Sequence, residues 1–391
     1  MQENSQVIMT NNLGRQYALY AREYEKKAVQ VLRSGWYVLG REGEQFEKEW
    51  AEYTGAKYCA GLACGLDALR LSFQLLGIRE GDEVIVCANA YIACVMGITM
   101  NGARPVFVEP DEYDNIDADK IEDAVTPHTK AVLAVHLYGQ CCDMTKIMDI
   151  AARHHLKVVE DCAQSHGNHW MGKKAGTFGD IGCFSFYPTK GCGAFGDAGA
   201  VITDDEELIQ KFRIYRNYGA GSRYQHEAVG VNSRLDELQA GLLRVKLKHL
   251  DELNRERAGI AQRYLRDINN PLLQLPEIRP GADSSWHQFV LHVPGHRDEL
   301  AAYLNEKGIQ TLIHYPVPPH LSKAYRYLGF HKGDYPIAER YADEVLSIPI
   351  YNGMYPCETE RVADALNAFR SSRQTGQRMH ARHLENKRKV L

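Results

Sequence analysis

The stretch KAVLAVHLYGQCCDMTKIMDIAARHHLKVVEDCAQ (130–164) reads as strand, helix, strand. Its outer runs, 130–139 and 157–164, are short and rich in β-branched residues, and MTKIMDIAARHH (144–155) between them is amphipathic. Working outward, DEVIVCA (82–88), RPVFVEP (104–110), IGCFSFYP (181–188) and AGAVITDD (198–205) read as further strands. CGLDALRLSFQLLG (64–77) and YIACVMGITMNG (91–102) read as helices between them. This alternation predicts an α/β chain whose mainly parallel sheet is covered by helices on both faces. In such sheets the ligand crevice lies at the carboxyl ends of the strands, so the polar residues there are the ones to weigh.

Composition narrows the partners. The chain has 391 residues, 45% hydrophobic and 25% charged, which suits a globular protein with a sizeable core and excludes collagen-like, coiled-coil and disordered readings. With 46 basic against 50 acidic side chains the formal net charge is -4, so no nucleic-acid partner is expected. No apolar run reaches the roughly 18 to 20 residues of a membrane span, and MQENSQVIMTNN has neither the basic nor the apolar part of a signal peptide. A cytoplasmic chain with no membrane partner is expected. The ten cysteines include no C-x-x-C pair and no two-pair zinc spacing, and most lie in apolar runs such as VIVCAN and IGCFSF. They read as reduced and structural, and no metal site is expected.

Past residue 205 the pattern changes. SRLDELQAGLLRVKLKHLDELNRERAGIAQRYL (233–265) reads as one long amphipathic helix, a connector to a second unit. The expected domains are 1–250, a large domain with N-terminal helices, and 251–370, a smaller α+β domain containing QFVLHV as a strand. Residues 371–391 carry six Lys/Arg against one acid and read as a solvated basic tail.

Three strand ends need a chemical explanation. Asp161 follows the apolar Val158 and Val159 and is costly to bury without a positive partner. Lys190 lies beyond an apolar strand, after a Pro-fixed turn and before four glycines within nine residues. In a low-dielectric cleft such a lysine loses pKa and becomes an amine able to form a Schiff base; taken singly, a surface turn residue is the favoured reading. Ser185 faces opposite to Phe184 and Phe186 and could contact a phosphate, as could the first-turn N–H groups at Gly65 and Leu66. Tyr91 is either a core tyrosine or a ring that stacks on a planar ligand. Gly191, Gly193 and Gly196 satisfy G-x-G-x-x-G, but a strand follows them where a dinucleotide site needs a helix, so an NAD-dependent oxidoreductase is disfavoured. Lysine nucleophile, carboxylate, phosphate cup and stacking aromatic together are the needs of pyridoxal 5'-phosphate.

SGWYVLG (34–40), VVEDCAQSHG (158–167), SFYPTKGCGAFGDAGAV (185–201) and GVNSRLDELQAG (230–241) resemble the motifs of the DegT/DnrJ/EryC1/StrS family of nucleotide-sugar aminotransferases. The resemblance runs from about residue 8 to 370 and implies a fold-type I aminotransferase. It implies Lys190 as the Schiff-base lysine, Asp161 as partner of the pyridine nitrogen and Gln164 as contact to the ring hydroxyl. It also implies phosphate contacts from Ser185, Gly65 and Leu66, with Tyr91 stacked on the ring. Asn232 would reach the phosphate of the neighbouring subunit, making a homodimer with shared sites. CGLDALRL, the stretch 216–247 and IHYPVPPH (313–320) are similar to the subgroup that aminates C-3 of dTDP-3-keto-6-deoxyhexoses with L-glutamate as donor. In that subgroup Tyr187 and His314 would contact the hexose and Arg223 and Tyr224 the nucleotide diphosphate. Gly191-Cys192 after the lysine departs from the Asn-Leu of many relatives. The alternative within the family is a 4-aminotransferase acting on a UDP- or GDP-4-keto-6-deoxysugar.

Overall fold

A computed structural model of the chain describes residues 7–371. It opens with α1 (Leu13–Leu19), α2 (Ala21–Ser34) and α3 (Arg41–Thr54). The Asn12 side chain starts α1 by accepting the Arg15 N–H, at 3.0 Å. Next come β1 (Tyr58–Leu62), α4 (Gly65–Leu75), β2 (Glu83–Cys87), α5 (Ile92–Thr99), β3 (Arg104–Val108), β4 (Thr129–Val135), α6 (Met144–His154) and β5 (Lys157–Asp161). A two-residue hairpin, β6 (His169–Trp170) with β7 (Lys173–Lys174), leads to β8 (Ile181–Ser185), β9 (Gly199–Thr203) and α7 (Glu206–Tyr215).

The seven-stranded sheet has the order β1-β9-β8-β5-β4-β2-β3. β9 pairs antiparallel with both neighbours and the remaining pairs are parallel, so β9 alone is reversed. Val84–Val86 and Val132–Ala134 are fully buried, which is why these strands read as continuous apolar runs. The expected strand over 130–139 stops at Val135, and 137–139 form a 3-10 turn. β1 was not anticipated: YCAGL carries small residues where a strand signal needs β-branched ones. Because six strands share one direction, the carboxyl ends of β1, β2, β4, β5 and β8 open on the same edge.

The exposed hairpin β10 (Ala220–Ser222) with β11 (Gln225–His226) precedes α8 (Glu237–Leu247) and α9 (Leu250–Asp267). The single helix expected over 233–265 is therefore two helices, and the reason lies in what each one buries. α8 places Ala240 and Leu243 in the core under the large sheet. α9 places Ile260, Ala261 and Tyr264 in a second core. Between them the His249 ring stacks on Tyr20, centroids 3.8 Å apart. The second core is completed by β12 (Phe289–His292), α10 (Arg297–Glu306), β13 (Val345–Ile348), which pairs antiparallel with β12, and α12 (Pro356–Ala368), while α11 (Pro336–Glu344) lies before β13 in the chain. Ile8 from the N-terminal segment joins this core, while Tyr325, Leu328 and Ala338 join the first. The basic tail expected over 371–391 lies outside the described residues, apart from Ser371. Among the described residues no helix is long and apolar enough to cross a membrane.

Candidate active site

A cleft of about 420 Å³ lies at the carboxyl edge of the sheet. Asp161 ends β5, Ser185 ends β8, Gly65 opens α4 just after β1, and Tyr91 precedes α5 just after β2; all four line the cleft. Lys190 enters it from the turn after β8. That turn is pinned from several sides. The Lys190 N–H donates to the Tyr187 carbonyl at 2.8 Å, the Cys192 N–H to Nδ1 of His166 at 2.9 Å, and the Phe195 N–H to the Gln239 side chain at 2.8 Å. A Cβ at Gly193 would lie 2.3 Å from the Pro188 carbonyl oxygen, so the turn tolerates only glycine there. The loop runs on into β9, so G-x-G-x-x-G here shapes a lysine-bearing turn and opens no helix.

Adjacent residues on β5 point to opposite faces, and their chemistry differs accordingly. Glu160 is fully buried under the sheet. Its carboxylate accepts Nε2–H of His136 (3.0 Å) and the backbone N–H groups of Gly176, Phe178 and Gly179 (2.7 to 2.8 Å). His136, Glu160 and Cys162 lie close enough to hold a metal ion, yet Nδ1 of His136 already accepts the Cys142 N–H. These atoms are committed to a structural network. Asp161 faces the cleft: one oxygen accepts the Ala163 N–H (3.0 Å) and the other the Cys94 thiol (3.1 Å). Burial pulls the pKa of the Lys190 amine down, against the opposing pull of the Asp161 charge.

Gly65 and Leu66 begin α4, whose first N–H groups have no carbonyl to bond within the helix. A Cβ at Gly65 would lie 2.6 Å from Cβ of Ser185, so glycine lets this helix end meet the end of β8. Gln164 accepts the Tyr138 N–H on Oε1 (2.6 Å) and donates to the Tyr315 hydroxyl (3.1 Å). The rings of Tyr315 and Tyr91 sit 4.9 Å apart, tilted by 34°, and Tyr91 stays 47% exposed. Tyr187 and His314 also line the cleft. Nδ1 of His314 meets the Ser347 hydroxyl at 2.7 Å, and burial beside the Lys190 charge pushes its pKa down to about 4.

Three expected site residues stand apart from this group. Arg223 and Tyr224 sit at the tip of the β10–β11 hairpin, Tyr224 81% exposed with the Arg223 guanidinium 5.1 Å from its ring centre. Asn232 is exposed and bridges to Asn217. None of the three lines the cleft of its own chain. Conversely, sequence reasoning missed Tyr315, His287 and Cys94. Tyr91 and Cys94 are three apart at the start of a helix, a spacing that puts both on one face and could have flagged the thiol. No comparable signal marked His287.

Residues 20–367 match the DegT/DnrJ/EryC1/StrS aminotransferase family. The chain belongs to that family. This aminotransferase is 49% identical over 351 residues, 90% of its length and 96% of the relative's, to a protein of Aneurinibacillus thermoaerophilus named dTDP-3-amino-3,6-dideoxy-alpha-D-galactopyranose transaminase. Its fold superposes on Streptomyces venezuelae DesV, solved in complex with a ketimine intermediate, with a TM-score of 0.91 at 43% identity, covering 93% of this chain and 98% of that one. A Bacillus subtilis structure, ntda with bound cofactor PMP, matches with a TM-score of 0.86 at 33% identity over 93% of this chain and 85% of that one.

Proposed function

We propose that this aminotransferase uses pyridoxal 5'-phosphate in the Lys190 cleft to move the amino group of L-glutamate to C-3 of a dTDP-3-keto-6-deoxyhexose, giving a dTDP-3-amino-3,6-dideoxyhexose. The observation that carries the reading is a buried lysine amine facing a carboxylate fixed by two donors, in a cleft that opens on a helix N-terminus. The name of the 49% identical relative supports the nucleotide and the carbon atom.

The residues present fit the cofactor. The glycine-only corner between Gly65 and Ser185 offers N–H groups and a hydroxyl to a phosphate, the Asp161 carboxylate suits a protonated ring nitrogen, and the exposed ring of Tyr91 suits a stacked heterocycle. When bound, the cofactor supplies an electron sink for the charge left at the donor's Cα. Lys190 attaches it and carries the proton away from Cα and back, a task helped by burial, which raises the share of free amine. Asp161, held at both oxygens, keeps its charge aimed at one point. Gln164 fixes Tyr315 and retains one amide hydrogen for a ring hydroxyl. His314, neutral at pH 7 and engaged at Nδ1, keeps Nε2 for a sugar hydroxyl.

Charge balance supports a homodimer with shared sites. Among the described residues Lys190 is the one Lys or Arg lining the cleft, and Asp161 and Asp197 line it too. A cofactor phosphate and a nucleotide diphosphate need more cationic partners than that. Arg223 of a second copy would supply a cation and its Asn232 an amide donor, and the exposed Trp36 (63%) and Tyr37 offer apolar surface for a second copy to bury. We place the enzyme in the cytoplasm. The test is to incubate the purified protein with L-glutamate and either a dTDP-3-keto- or a UDP-4-keto-6-deoxyhexose and to analyse the products by mass spectrometry and NMR. Amination of the first at C-3 is expected; turnover of only the second would overturn the regiochemistry.

A further inference from the structure

The Lys190 cleft has a neighbour with the opposite chemistry. A second cavity of about 460 Å³, a size that suits a small organic ligand, opens between residues 112–114 and the segments 274–278 and 284–292. Leu137 and Gln288 line both cavities and form the wall between them. The second cavity has an aromatic lining that includes Tyr138, Trp286 and Tyr341. Four carboxylates, Glu112, Asp114, Glu277 and Glu344, face it against Arg340 and His292.

His292 bridges two of those acids, with Nε2 2.9 Å from Asp114 and Nδ1 3.7 Å from Glu344. Even with His292 charged, carboxylates outnumber cations, so the phosphorylated ligands proposed for the first cleft are repelled from this one. Aromatic faces together with carboxylates are the groups that bind an organic ammonium ion. Oε1 of Gln288 is buried in the shared wall without a partner, leaving an acceptor unused. Asp114, Tyr138 and Trp286, all in this lining, are also three of the eight non-glycine residues among those described that have positive φ (64°, 59° and 50°). Such a backbone persists where the surrounding structure holds it.

Tyr138 joins the two cavities. Its backbone N–H donates to Gln164 and its hydroxyl donates to the His314 carbonyl, and both of those residues line the Lys190 cleft. We propose that the second cavity binds a small organic cation, an ammonium group on an aromatic or aliphatic body, and that its occupancy acts on the Lys190 cleft through Tyr138. The site is separate from the amino-transfer chemistry, so its test does not depend on the identity of the sugar.

The test is calorimetric titration of the full-length holoenzyme with 2-phenylethylammonium chloride, and with 2-phenylethanol as the uncharged counterpart, at fixed ionic strength. Saturable binding of one ammonium per chain is expected, about tenfold tighter than the alcohol. Glu344→Gln should weaken it several-fold. The double variant Glu112→Gln/Glu277→Gln changes only residues exposed at the mouth and should also weaken it, which guards against a folding defect in the first variant. Equal affinity for ammonium and alcohol, no saturable binding, or indifference to both variants would overturn the site. For the coupling, the ammonium should shift KM for the keto sugar in the wild type and leave it unchanged in Tyr138→Phe, which keeps the ring and loses the hydroxyl. Binding without any KM shift in the wild type would overturn that half.

Discussion

The Lys190 turn and the β10–β11 hairpin are both loops that carry conspicuous polar residues, and they are held in opposite ways. Around Lys190 the N–H groups of Lys190, Cys192 and Phe195 are all bonded, and the amine is buried. At the hairpin tip Arg223 meets the ring and hydroxyl of Tyr224, and both residues are exposed. A group fixed by its own chain can do chemistry that needs a set proton position. A group left in solvent can gain its fixed geometry only from something that docks on it.

Substitutions should separate the two regions by size of effect. Lys190→Ala removes the amine that lines the cleft, and kcat should fall by about 10⁴ or more with loss of the visible absorbance of the holoenzyme, read in steady-state assays and spectra. Asp161→Ala should cost about 10² to 10³ in kcat, because its charge is replaced by nothing. Arg223→Ala should raise KM for the nucleotide sugar about tenfold and leave kcat within a few-fold, the mark of a contact made before and during the reaction alike. A hybrid dimer of the Lys190→Ala and Arg223→Ala chains should regain one intact site out of two. Hybrids whose kcat/KM for the nucleotide sugar does not exceed that of the Arg223→Ala parent would mean that each chain completes its own site.

A smaller effect concerns stability. His166 and His314 have pKa values pushed down by burial to about 3 and about 4, from an ordinary 6.5. Below pH 6.5 the unfolded chain therefore binds protons that the folded chain refuses, so stability falls as pH drops from 6.5 and this contribution levels off once the folded pKa values are passed. Urea titrations between pH 7 and 5 should show the decline, and His166→Gln should flatten it. The Glu237 carboxylate accepts the N–H groups of Gly40, Glu42 and Gly43 at the start of α3. Glu237→Ala should cost about 2 to 4 kcal/mol in the same titrations by stranding them.

The sequence made the fixed region more legible than the rest. Asp161 and Lys190 stood out because a charged residue directly after an apolar strand demands a partner, and the parallel sheet brings such strand ends to one edge. The family resemblance then supplied Gln164 and Tyr187. Tyr315 and His287 could not be read because they lie more than 120 residues along the chain from Gln164, and no period or motif records that approach. The break between α8 and α9 was hidden for a similar reason: the 3.6-residue period continues through it, while Leu243 and Ile260 belong to different cores. β1 escaped because Ala60 and Gly61 have no strand signature; a Cβ at Gly61 would lie 2.8 Å from Leu235, so packing against that side chain requires the glycine.

Lys190 has a neighbour, Lys246, whose amine is also shifted down in pKa by desolvation, and only Lys190 should carry the cofactor. Lys246, 6% exposed with a pKa lowered to about 8 by burial, is also a candidate amine by its chemistry, but it lines a different pocket behind the turn. The decisive measurement is borohydride reduction of the purified holoenzyme followed by peptide mass spectrometry. A phosphopyridoxyl group on Lys190 is the predicted result; the same group on Lys246, or on no lysine, would contradict the account.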